Sequence, residues 1–167
     1  CGSDGSVRLI DALAGASRKM VHVKKYNTTS ATYTHHELSI LHGGNANCVR
    51  YLSLYDNKYL RVFRGHEDSV TSLAMCPSSD AFASCSLDGK MAVWDLGSSS
   101  KVAVLDSGTP DLNSPPRAAY SPDGLVLAAS AGRKVRLYDS RNYQNGPFAH
   151  FGIDAQGSAP EAVVARL

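Results

Sequence analysis

The sequence predicts an all-β protein made of a repeated unit, and three observations carry that expectation. Helical periodicity is almost absent. Short alternating or apolar runs, bounded by Gly, Pro, Asn, Asp and Ser, follow one another at about 8 to 12 residues, as in an all-β sandwich, barrel or propeller. Four segments also close alike: SDGSVRLID, ANCVRYLSLYD, SLDGKMAVWD and AGRKVRLYD end at Asp11, Asp56, Asp95 and Asp139, which lie 45, 39 and 44 residues apart. A second landmark keeps step, because CPSSDAF at Cys76 and SPDGLVL at Ser121 each precede the second strand of a unit. A step of roughly 40 to 45 residues is that of a four-stranded propeller blade.

The elements then fall in order. VRLID and MVHV form the last half of a blade over residues 1–25. A second blade, 26–64, holds VRYLSLYD and its outer strand YLRVF, with Tyr55-Asp56 closing its third strand. A third, 65–107, holds VTSLAM, AFASC, MAVWDL and KVAVL, and a fourth, 108–153, holds RAAY, LVLAAS, KVRLYD and PFAHF. Residues 154–167, DAQGSAPEAVVARL, read as a flexible stretch followed by EAVVARL, the first strand of a fifth blade. Rings close with about four to eight blades, and an open array exposes its edge strands. The expectation is therefore a partial propeller, about three and a half blades of a seven-bladed ring, in a chain that begins at Cys1 without a Met.

Bulk composition narrows the function. The 167 residues are 43% hydrophobic and 19% charged, an ordinary globular balance. A net charge of +2 gives no electrostatic argument for nucleic acid or an anionic membrane. No run approaches the roughly 18 apolar residues of a membrane span. Cys1, Cys48, Cys76 and Cys85 form no C-x-x-C pair and lie in or beside apolar runs, so they read as small buried hydrophobes in a reducing compartment, cytoplasm or nucleus.

Residues 65–95, GHEDSVTSLAMCPSSDAFASCSLDGKMAVWD, are the complete unit. His66 on the entering turn can bond Asp88 at the tight turn, and Ser84 with the indole N–H of Trp94 can extend that chain, so that buried polar groups are paired. The second and fourth units carry Tyr in place of Trp and lack the full set, so the network is expected in the third unit alone. Gly-His, then Trp-Asp, with Ser-x-Asp before the last inner strand, resembles the WD-repeat (β-transducin) family. YLSLYDNKYLRVFRGH, KKYNTTSATYTHHE, SLDGKMAVWDL and LYDSRN…GPFAHF are further similar to the WD-repeat subunit of COMPASS-type histone methyltransferase complexes. That resemblance covers roughly residues 2–153, is strongest over 49–95, and departs at DSGTPDLNSPPRA (106–118) and after Ile153.

The resemblance implies a non-catalytic nuclear scaffold. Its protein partners would be methyltransferase subunits and the phosphorylated C-terminal repeats of RNA polymerase II, with further roles in messenger-RNA 3′-end processing or phosphatase assemblies. It implies no cofactor, no metal, no small-molecule substrate and no direct nucleic-acid binding. The alternative is a WD-repeat adaptor of another kind, such as a ubiquitin-ligase substrate receptor.

Sharper readings compete with these. Ser84, His66 and Asp88 suggest a hydrolase, but a nucleophile needs an oxyanion site and an exposed pocket, and here the residues sit where a blade-bracing network belongs. His35 and His36 are adjacent on a strand and face opposite ways, and His42 lies in a turn-like LHGGN segment, so surface or loop histidines are expected rather than a metal site. Arg133, Lys134, Arg136 and Arg141, like Lys24, Lys25, Arg61 and Arg64, are expected to be solvated charges rather than phosphate ligands. LHGGNANC lacks the Lys-Ser/Thr of a phosphate loop.

Overall fold

The computed structural model describes residues 5–23, 28–36, 38–45, 47–107 and 114–152, and the backbone of 162–164. These residues form antiparallel meanders in which each strand pairs with the next. In the first sheet β1 (Ser6–Ile10) pairs with β2 (Ser17–His22). The second sheet runs β3 (Thr28–Tyr33), β4 (Ser39–Gly44), β5 (Cys48–Ser53) and β6 (Tyr59–Arg64). The third runs β7 (Val70–Met75), β8 (Ala81–Ser86), β9 (Lys90–Asp95) and β10 (Lys101–Asp106). The fourth runs β11 (Arg117–Tyr120), β12 (Val126–Ala131), β13 (Lys134–Asp139), a 3-10 turn at Tyr143–Asn145, β14 (Pro147–Gly152) and β15 (Ala162–Val164).

Backbone hydrogen bonds fix which residues are equivalent. Leu54, Leu96 and Ser140 each donate N–H to the carbonyl just before the second strand of their sheet, at Leu38, Asp80 and Leu125. Asp11, Ser53 and Asp95 likewise donate to Ala16, Lys58 and Ser100. The period is thus 42 residues from Asp11 to Ser53 and again to Asp95. This corrects the reading of Tyr55-Asp56 as a strand end. β5 stops at Ser53, and Tyr55, 83% exposed, lies in the turn beyond it. The counterparts of Trp94 are Leu52, paired with Ile40, and Tyr138, paired with Leu127, just as Trp94 pairs with Phe82.

Two further expectations change. TTSATY and SILHGG, which no alternating apolar pattern announces, are full strands β3 and β4. EAVVARL does not open a new sheet: Ala162–Val164 pairs antiparallel with β14, at the outer edge of the fourth. The rest of residues 153–167, the insertion core 108–113, Cys1, Lys24 and Lys25 lie outside the described residues.

The core lies between sheets, because a strand sends alternate residues to opposite faces. Phe82, Ala92 and Trp94 face the second sheet and pack with Leu41, Val49, Tyr51 and Phe63. Their neighbours Ala83, Cys85, Met91 and Val93 face the other way and pack with Leu127, Ala129 and Tyr138 of the fourth. Ile40, Leu52 and Leu54 meet Val7, Leu9 and Val21 of the first. Within the middle core Phe63 meets Phe82 edge-on with ring centroids 4.8 Å apart, a favoured aromatic geometry. Threonines tie the inner strands together: Thr29 Oγ1 donates to Val70 O at 2.9 Å, and its equivalent Thr71 to Pro116 O at 2.6 Å.

Where β4 meets β7 the sequence uses glycine. A Cβ on Gly43 would stand 2.7 Å from Val70 Cγ1. Gly43→Ala is therefore expected to destabilise the protein by roughly 1 to 3 kcal/mol, the cost of overpacking a filled seam. Urea unfolding should show that loss, and Val70→Ala in the same chain should recover part of it.

Candidate functional site

The third sheet brings His66, Ser84, Asp88 and Trp94 together at its seam with the second. Ser84 on β8 and Trp94 on β9 point to the same side, because Phe82 pairs with Trp94 and Ser84 with Ala92. His66 arrives from the turn after β6, and Asp88 sits in the Leu87–Gly89 turn, where Gly89 takes a positive φ of 76°. Trp94 Nε1 donates to Ser84 Oγ at 2.8 Å. Ser84 Oγ lies 2.7 Å from His66 Nε2, and His66 Nδ1 lies 3.1 Å from Asp88 Oδ2. Asp88 also accepts the backbone N–H groups of Glu67 at 2.9 Å and Lys90 at 2.8 Å.

These bonds have one consistent direction. The indole N–H donates to Ser84, and with the Nδ1–H of a neutral His66 donating to the Asp88 carboxylate, Nε2 is left to accept from the Ser84 hydroxyl, whose other acceptor, Ala92 O, is farther at 3.4 Å. Burial lowers the His66 pKa against the pull of Asp88, and Lys101 and Lys90 add to the lowering. Burial works against the Asp88 carboxylate, but the Glu67 and Lys90 N–H groups and His66 hold its pKa below the usual value. Lys101 caps the assembly, its Nζ 5.5 Å from the Trp94 ring and bonded to Gly65 O at 3.0 Å.

The chemistry available here is cohesive. Ser84 is wholly buried, and its Oγ is already engaged by the indole and the imidazole, so no substrate reaches it. A serine–histidine–aspartate order without access to the hydroxyl lacks what nucleophilic catalysis requires.

His42 departs from expectation. It is a buried residue of β4, 1% exposed, because the strand continues through Gly43 and Gly44 where the sequence suggested a turn. By the 42-residue period it occupies the place of Ser84 in the second sheet. Its Nδ1 lies 3.2 Å from Thr28 Oγ1, while Nε2 has no partner among the described residues. Burial, with Arg50 paired across the strands, pushes its pKa down to about 4. His35 and His36 are exposed, although His35 Nε2 lies 2.8 Å from Cys76 O. Among the described residues no cluster of His, Cys, Asp or Glu could hold a metal ion. Cys48, Cys76 and Cys85 are buried free thiols, and burial, with Asp88 adding, pushes Cys85 up to about 12.

Several charges do more than face water. Arg61 donates to Leu96 O at 3.1 Å, and Arg136 to Asp106 O at 2.8 Å. Lys19, which the sequence reading passed over, donates to Leu54 O and to Tyr55 O. All three cross from one sheet to the next. Only the register of the folded repeats shows that Lys19 and Arg61 are equivalent, since each pairs with the same strand position, at Leu9 and Tyr51.

Removing either end of the relay should orphan a buried partner. His66→Ala and Asp88→Ala are each expected to destabilise by roughly 1 to 3 kcal/mol. Denaturant unfolding of the single and double variants should show losses that do not add, because both act on one network. A second test uses pH. His42 has a folded pKa of about 4 against an ordinary 6.5, so its stabilisation is full above pH 6.5 and is lost as pH falls towards 4. Between pH 6.5 and 4.5 that loss is about 2 kcal/mol at about 1.4 kcal/mol per pH unit. The urea midpoint should fall across this window, and less steeply in His42→Gln.

Comparison with known proteins agrees with this architecture. Residues 57–95 match the family "WD domain, G-beta repeat". The chain is 40% identical over 155 residues to "Protein ANTHESIS POMOTING FACTOR 1" of Arabidopsis thaliana, covering 89% of the chain and 46% of that protein. It is 36% identical to WD repeat-containing protein 82 of Drosophila melanogaster, covering 93% and 49%, and 34% identical to the Set1 complex component swd2 of Schizosaccharomyces pombe, covering 87% and 41%. The chain thus spans about half the length of these curated relatives. A solved structure of U3-55K superposes with a TM-score of 0.67 at 19% identity, over 82% of this chain and 43% of that one, a likeness of fold. The chain thus carries a WD repeat over residues 57–95 within a β-propeller-like array of successive antiparallel meanders, and it is similar along most of its length to WD-repeat proteins.

Proposed function

We propose that this chain is part of a non-catalytic scaffold subunit of a nuclear, COMPASS-like histone lysine methyltransferase complex. The observation that carries the reading is the 34% identity, over 87% of the chain, to a protein named as a component of the Set1 complex. That match spans 150 residues, well beyond the residues 57–95 that match the repeat family. The physical form suits the role: buried seams give a rigid frame, and the loops between strands offer many separate contacts on it. The serine–histidine–aspartate set is consumed in packing, which is consistent with methyl transfer occurring on another subunit. Linkage to RNA polymerase II through its phosphorylated C-terminal repeats, and roles in 3′-end processing or phosphatase assemblies, belong to the same reading and rest on relatedness alone.

Affinity purification of the tagged full-length protein from nuclear extract, followed by mass spectrometry, tests this. Enrichment of a Set1-type methyltransferase and its companion subunits is expected, and Gly43→Ala should reduce it in proportion to lost folded protein. Enrichment of cullin adaptors without methyltransferase subunits would replace this reading with the ubiquitin-ligase one.

A further inference from the structure

Two seams between sheets share a fastening from the outer strand, and the third, bridged instead by Arg136 and Tyr138 to Asp106 O, lacks it. Lys19 on β2 and Arg61 on β6 stand 42 residues apart at equivalent positions, paired with Leu9 and Tyr51 of the strand before. Each reaches into the next sheet and donates to the residue that follows its third strand: Lys19 to Leu54 O, and Arg61 to Leu96 O at 3.1 Å. Leu54 and Leu96 are themselves equivalent by their backbone bonds to Leu38 and Asp80. The next position in the series is Ala103, paired with Val93 on β9, and the next receiving residue is Ser140, bonded to Leu125 O. Alanine ends at Cβ, so the side chain at this position does not reach the Ser140 carbonyl.

A cavity of about 300 Å³ opens beside this place, between the turn at Cys76, Ser78 and Ser79 and a wall that includes Val102, Leu125 and Ser140. Its size is at the lower limit of small-ligand sites and fits one inserted side chain rather than a folded segment. Val102 and Leu125 are 54% and 39% exposed, giving the mouth an apolar wall along which an aliphatic stem can lie. The receiving turn at 139–142 has the same place in its sheet as the turns that accept Lys19 and Arg61. Charge at the site is mixed. Arg141 lines it, but Asp123 feels that guanidinium, and Asp139 lines the adjoining hollow with Arg141 and Phe148.

We propose that the seam between the third and fourth sheets is a docking site for a lysine or arginine side chain of a partner protein, which supplies in trans the fastening that Lys19 and Arg61 supply in cis. The stem lies along Val102 and Leu125, and the cationic head donates to the Ser140 turn. The site follows from the register of the repeats, so it stands whichever complex the protein joins.

Titrating the full-length protein with the capped tripeptides Ala-Lys-Ala, Ala-Arg-Ala, Ala-norleucine-Ala and Ala-Glu-Ala, read by NMR shifts at Val102, Ser140 and Tyr143, tests it. The Lys and Arg peptides are expected to bind in the range of about 1 mM and the norleucine peptide about tenfold more weakly. Ala103→Arg should fill the seam and lower Lys-peptide affinity at least about tenfold. Arg141→Gln, which leaves the core untouched, should strengthen it several-fold by removing a like charge, and keeps the test decisive if Ala103→Arg does not fold. Equal binding of the norleucine peptide, stronger binding of the Glu peptide, weakening by Arg141→Gln, or no shift with any peptide would overturn the proposal.

Discussion

The second and third sheets each have two faces, and a neighbouring sheet covers each face. That constraint governs the sequence. A strand alternating towards two different seams carries apolar residues at consecutive positions, as AFASC and MAVW do, and Phe82 and Ala83 therefore belong to different cores. Two seams crossing one strand leave little room for polar atoms. Ser84 lies fully inside, and the relay from Trp94 through Ser84 and His66 to Asp88 supplies the partners that water would otherwise provide. The relay also joins four elements, the entering turn, two inner strands and the tight turn, so the third sheet is braced across its width.

The other sheets meet the same constraint differently. In the second, His42 stands at the Ser84 position and turns to Thr28, with Leu52 in the place of Trp94. In the fourth, Ala129 and Tyr138 occupy the corresponding places, and the Tyr138 hydroxyl donates to Asp106 O across the seam at 2.9 Å. One packing problem thus has a polar, a mixed and a largely apolar solution in a single chain. Between sheets, threonines fasten the inner strands at the second and third seams, basic residues on outer strands fasten the first and second, and Arg136 bridges the third. Such fastening makes the frame stiff enough to present loops in fixed relation, which is what an assembly subunit needs.

Much of this was legible in the sequence because it rests on short-range patterns. Alternation, the DG and PDG turns and the GH…WD spacing announced sheets, hairpins and the members of the relay. The second sheet was least legible. Leu-Tyr-Asp at 54–56 imitates the Trp-Asp ending, yet β5 had already stopped at Ser53, and this displaced the apparent period from 42 to 45. TTSATY carries few apolar residues because small hydroxyl side chains suit an inner strand pressed against its neighbour, and Gly43 is a glycine for the approach of Val70 rather than for a turn. The burial of His42 followed from that same misplacement. The basic fastenings could not be seen at all, because lysine and arginine on an outer strand look solvated until the register shows which carbonyl lies opposite.

The central claim is that the relay is a neutral, directional brace. Nitrogen NMR of the His66 ring in the full-length protein at neutral pH tests it most directly. The account predicts a neutral imidazole protonated at Nδ1, with Nε2 shifted as an acceptor from Ser84. A ring protonated at Nε2 alone, or a fully protonated imidazolium at that pH, would contradict it.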